Sequence, residues 1–87
     1  MTRRTVVWVS DAETELAEIW LASASRDRVT SASHAIDVAL AQDAESVSSP
    51  LAEGLRAFDE PPLRVLFEIL DGDRMVRVLK VKQVAQS

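Results

Sequence analysis

The sequence predicts an α+β fold in which an N-terminal strand and a helical hairpin precede an antiparallel sheet of three further strands, in the order β-α-α-β-β-β. Three observations predict it. A β-branched and aromatic run, Thr5-Val6-Val7-Trp8-Val9, opens the chain. Apolar residues then recur every three or four positions from Ala12 to Ala44. After Gly54 the period shortens to that of strands, with Asp71-Gly72 set between two apolar runs. The 87 residues suffice for one domain, 1–87, and a chain of this size buries only about 60–65% of the surface its unfolded form exposes, so the core must be small.

The opening run ends at Ser10 and predicts a strand over residues 4–9. Ser10-Asp11-Ala12-Glu13 has the S-x-x-E form of a capping box, and Asp11 and Glu13 suit the positive end of a helix. Ala12, Leu16, Ile19, Trp20 and Ser23 follow at helical spacing while Glu13, Glu15 and Glu18 look outward, which predicts a first helix over 11–25. Arg26-Asp27-Arg28 reads as a polar joint. Val29, Ala32 with Ser33, Ile36, Leu40 and Asp43 with Ala44 then define a second helix over 29–45, antiparallel to the first. Residues 46–54, which include Ser48-Ser49-Pro50 and end at Gly54, read as a loop.

Leu55 to Phe58 predicts a short strand, Asp59-Glu60-Pro61-Pro62 a rigid connection, Leu63 to Leu70 a longer strand, and Arg74 to about Lys82 the last one. A two-residue turn at Asp71-Gly72 sets Leu70 opposite Asp73, Phe67 opposite Val76 and Val65 opposite Val78. Val65, Phe67, Ile69, Val76 and Val78 then face the helices. Arg64, Leu66, Glu68, Arg77, Leu79 and Val81 share the other, open face, with Arg64 and Arg77 as diagonal neighbours. Asp71 and Asp73 offer too few donors for a metal loop and read as turn residues.

With no Cys and one His, a disulfide frame, a thiolate nucleophile and the common zinc ligand sets are excluded, and no metal or cofactor is expected. The apolar run at 6–9 is far shorter than a signal-peptide core or a membrane span, so a cytoplasmic protein without membrane partners is expected. The net charge of −4 is uneven: residues 11–60 carry eleven acidic against three basic groups, while both ends are net basic. Such a balance opposes tight non-specific nucleic-acid binding, which rests on phosphate neutralisation. It leaves the C-terminal strands as the part that meets anions, with Arg64, Arg77, Lys80 and Lys82 as candidate target- or anion-binding residues. Pairing of Arg77 with Glu68 and protection of a sheet edge by the lysines are the structural alternatives. Leu66, Leu79 and Val81 on the same face suit a partner's helix or strand. Trp8 and Trp20 read as core residues, with an exposed indole at a partner interface as the alternative, and His34 reads as exposed or at a partner interface.

The element order and several strings resemble the RelE/ParE toxin superfamily of bacterial toxin–antitoxin modules, end to end. Val7-Trp8 followed by Ser10, the acidic pair Glu13 and Glu15, and Leu16-Ala17-Glu18-Ile19-Trp20 look like the family's first strand and helix. Gly54-Leu55-Arg56-Ala57-Phe58 resembles the G-L-R-x-F segment of ParE-type members, and Arg64-Val65-Leu66-Phe67-Glu68 and Val76-Arg77-Val78-Leu79-Lys80-Val81 resemble the Y-R-V-x-Y and V-R-V-L-x-V strands. The resemblance implies a type II toxin, ParE-like in binding a macromolecular target such as DNA gyrase, and neutralised by a cognate antitoxin seated on Leu66, Leu79 and Val81.

RelE-type members instead cut messenger RNA on the ribosome, and Arg64 matches their phosphate-stabilising arginine early in the third strand. Arg56 and Arg77 would supply the remaining charge of such a ribonuclease. The family's arginine beyond the last strand falls at Gln83-Val84, and its late Tyr or His has no counterpart, because this chain has no Tyr and no His after His34. Cleavage through the 2′-oxygen needs a base and an acid. The resemblance therefore implies a binder without catalytic residues, with a non-toxic interaction module and a RelE-like ribonuclease as the alternatives.

Overall fold

The strand and helix order expected from the sequence is present in a computed structural model, which describes residues 3–84. Strand β1 (Thr5–Trp8) leads into helices α1 (Ser10–Ala22) and α2 (Arg26–Val47). Strands β2 (Ser49–Ala52), β3 (Leu55–Glu60), β4 (Leu63–Leu70) and β5 (Met75–Gln83) complete one five-stranded sheet, ordered β1-β5-β4-β3-β2.

Two features depart from the expected sheet. It is mixed, because β1 runs parallel to β5 while all other pairs are antiparallel. Strands joined by short turns are antiparallel, whereas β1 leaves through two helices and is free to lie parallel. A fourth C-terminal strand also forms: β2 occupies part of the expected loop and pairs with β3. All four of its residues are exposed and it lies at the sheet edge, the position in a sheet that tolerates a proline such as Pro50.

The helices begin and end slightly off their expected positions, for local reasons. The capping box does not form. Val9 still donates its N–H to the Val78 carbonyl of β5 and remains extended, so α1 starts at Ser10, and the Val9 carbonyl accepts the Glu13 N–H. The joint between the helices is Ser23-Ala24-Ser25, and the expected joint residue Arg26 is the first residue of α2. Its guanidinium donates to the carbonyls of Trp20 and Leu21 at 3.1 Å each, satisfying the end of α1.

The core is assembled from one stripe of α2 and one face of the sheet. Val29, Ala32, Ile36, Leu40 and Ala44 are buried against Leu63, Val65, Phe67, Val76, Val78 and Val81, with Ala12 of α1. Fully burying each large side chain contributes about 1.5–3 kcal/mol, which is why this stripe fixes the position of the longer helix. Trp8 packs partly buried on this core, whereas Trp20 is 38% exposed and is not a core residue.

The β4–β5 connection is longer than the two residues expected. Asp71–Asp73 form one 3-10 turn, Arg74 follows with φ of 49°, and Leu70 pairs with Met75. The register thereby moves by two residues, which keeps the side chains from Phe67 to Leu70 and from Met75 to Val78 on their expected faces: Phe67 lies opposite Val78 and Ile69 opposite Val76. A β-bulge then leaves Leu79 without a partner and shifts the remaining pairs by one, so that Val65 faces Val81. Val81 is consequently buried in the core rather than displayed on the open face. Among the described residues, no helix is long and apolar enough to cross a membrane.

Candidate functional site on the open sheet face

The bulged register lines up three charged residues across the open face. Asp59 of β3 pairs with Arg64 of β4, which pairs with Lys82 of β5. The next row holds Ala57, Leu66 and Lys80. Arg64, Lys82, Asp59, Ala57 and Leu66 line an open groove of about 470 Å³, whose far wall is Val47 at the end of α2 with Ser49 and Leu51 of the edge strand. Leu51 is the extra residue of a bulge in β2 and is 58% exposed. The groove thus joins a charged end to an apolar floor and wall.

Arg64 is fixed by Asp59 in a two-pronged ion pair, Nε to Oδ1 at 2.6 Å and Nη2 to Oδ2 at 2.9 Å. Each partner moves the other: Arg64 holds the Asp59 carboxyl below its usual range, and Asp59 raises the guanidinium. Lys82 makes no ion pair among the described residues. One carboxylate against two cations leaves this end with a net positive charge, suited to a carboxylate or phosphate of a partner.

The other expected site residues are placed elsewhere. Arg77 lies directly opposite Glu68 and donates to both of its carboxylate oxygens, at 3.1 and 3.2 Å. In this register it is not a diagonal neighbour of Arg64: the Arg64 and Arg77 rows are four residues apart along β4, about 13 Å at the usual rise. Leu79, half-buried at the bulge, does not line the groove, and Val81 is in the core.

Lys80 reaches α1, where its Nζ lies 3.1 Å from Glu15. The same carboxylate accepts the Val81 N–H at 3.0 Å, beyond the point where β1 ends and β5 loses its neighbour. Glu15 therefore closes a sheet edge instead of looking outward. That backbone hydrogen bond and the Lys80 contact lower its carboxyl pKa.

Arg56 is drawn to the helical side. It pairs with Phe67 across the sheet, and its guanidinium donates to Ser48 Oγ at 2.6 Å and to the carbonyls of Glu45 and Ser48 at 3.0 and 3.2 Å. It closes the C-terminus of α2, whose last turn carries no basic residue of its own.

The groove's lining has no His, Tyr or Cys, and Arg64 keeps the Asp59 carboxyl below its usual range. His34 lies exposed on α2, away from the groove lining. The residues the sequence did not single out are Val47, Ser49, Leu51, Ala57 and Asp59; three of them belong to the stretch read as a loop, where no periodicity marks them.

The fold has clear counterparts among solved structures. A chain of the RelBE2 toxin–antitoxin complex from Mycobacterium tuberculosis superposes with a TM-score of 0.82 at 21% identity, covering 99% of this chain and 97% of that one. A chain of the chromosomal ParDE system from P. aeruginosa gives 0.67 at 16% identity, covering 95% and 98%. The isolated E. coli RelE toxin gives 0.61 at 15% identity, covering 97% and 87%. No protein-family model and no curated protein sequence matches the chain. The described residues have the RelE/ParE fold from end to end.

Proposed function

We propose that this protein is the toxin of a type II toxin–antitoxin module, ParE-like in acting by binding a macromolecular target. A cognate antitoxin silences it by covering the open-face groove. The observation that carries this reading is the groove itself: on a RelE/ParE fold, Arg64 and Lys82 stand beside Leu66, Leu51 and Val47 with no proton-transfer group among them. An antitoxin segment with acidic and apolar side chains matches both ends of it. Leu66 is its central apolar contact. The same surface holds a target when the antitoxin is absent, and DNA gyrase fits this reading better than the ribosome because poisoning by binding needs no acid or base.

Induced expression in a bacterium separates the targets. DNA breaks with intact translated messages are the expected outcome. Messages cut while DNA stays whole would establish the RelE-like alternative, and neither effect at full soluble expression would leave the non-toxic interaction module.

A further inference from the structure

Asp59 is the one acidic side chain in the groove lining, and it stands where a ligand's own acid would stand. Its two oxygens occupy the Nε and Nη2 donors of Arg64, the edge of a guanidinium that matches a carboxylate or a phosphate. Asp59, Arg64 and Lys82 follow one another on adjacent strands, about 4.8 Å apart. What is left for a ligand is Arg64 Nη1 and the Lys82 ammonium, neither of which has a hydrogen-bond partner among the described residues. Two cations against one carboxylate balance a single further negative charge.

A nucleic-acid strand needs more than that. Its affinity comes from several phosphates neutralised in succession and, in single strands, from bases stacked on aromatic rings. Here the next cations along the face are already taken, Lys80 by Glu15 and Arg77 by Glu68. The groove lining has no aromatic ring. A second phosphate beside the first would meet Asp59 or Glu68 instead of a free cation. We propose that Asp59 determines the specificity of this groove: it admits a single carboxylate set among the aliphatic side chains of a protein partner and turns away the phosphate backbone of a nucleic acid. The proposal rests on the reading of the groove as a partner-binding surface and not on toxicity, so purified protein tests it.

The test is fluorescence anisotropy at low salt with two labelled probes, a single-stranded RNA dodecamer and a capped hexapeptide with one glutamate among leucines and serines. Wild type should bind the peptide and show no saturable binding of the RNA. Asp59→Asn keeps an acceptor for Arg64 and removes the charge. It should bind the RNA at least about tenfold more tightly than wild type does, and the peptide within about threefold. The gain should vanish in Asp59→Asn/Lys82→Ala, and Asp59→Glu, which restores the charge, should exclude the RNA as wild type does. Asp59 is exposed, so these variants should keep the urea midpoint of the wild type. RNA bound by wild type as tightly as by Asp59→Asn, equal gains for the two probes, a gain that survives Lys82→Ala, or a peptide that none of the proteins binds would overturn the proposal. A protein that selects in this way yet leaves bacterial colonies intact would overturn the toxin reading alone.

Discussion

Arg56 and Arg64 lie on neighbouring strands and carry the same charge, yet their surroundings give them opposite duties. Arg56 is bound by the last turn of α2, and removing it takes a charged donor from the Glu45 and Ser48 carbonyls and from the Ser48 hydroxyl. Arg56→Ala is expected to cost about 2 kcal/mol in urea unfolding, since hydrogen bonds from a charged group contribute about 1.5–3 kcal/mol. Arg64→Ala, at an exposed pair, is expected to leave the unfolding midpoint essentially where it is and to affect function alone. Glu15 adds a pH dependence. Its folded pKa lies below the ordinary value of 4.5, so its stabilising effect is complete above that pH and is lost as the pH falls through the lowered folded value. The stability difference between wild type and Glu15→Gln should therefore be largest near neutrality and shrink toward pH 3; a difference that grows on acidification would contradict the assignment. These partnerships depend on how the chain folds back on itself: Asp59 meets Arg64 only across the β3–β4 pair, and Glu15 is 66 positions from Val81.

At the scale of elements, legibility followed periodicity. Val29, Ala32, Ile36, Leu40 and Ala44 stand out at helical spacing, and all five are buried; Leu63 to Leu70 alternates, and it is β4 from end to end. Ile36→Ala, which removes a fully buried side chain from the centre of this stripe, should cost about 2–5 kcal/mol, a large part of the stability of so small a domain. What periodicity could not carry was β2, four exposed residues with no apolar alternation, and the bulge at Leu79, which interrupts a run of equally plausible strand residues. The open-face groove suffered from both, since Leu51 belongs to the first and the pairing of Arg64 with Lys82 follows from the second. A pair of substitutions tests the bulged register. Val81→Asp should cost more than about 3 kcal/mol by burying a charge in the core, while Lys82→Asp should unfold near the wild-type midpoint. Similar losses for the two would show that β5 does not change register at Leu79.

Over the whole molecule the charges divide by face. The helices carry most of the acidic excess, and among the described residues the open sheet face keeps unpaired positive charge at the Lys82 end, because Arg77 and Lys80 are neutralised by Glu68 and Glu15. That division concentrates the proposed target and antitoxin contacts in one groove. The most direct measurement is colony survival after tightly controlled induction in a bacterium, with soluble folded protein matched between variants. Wild type and Arg77→Ala should kill, whereas Arg64→Ala/Lys82→Ala should leave colonies intact. Survival of cells expressing the wild type, or killing by the Arg64→Ala/Lys82→Ala variant equal to that of the wild type, would contradict the claim that this groove is the working surface of a toxin.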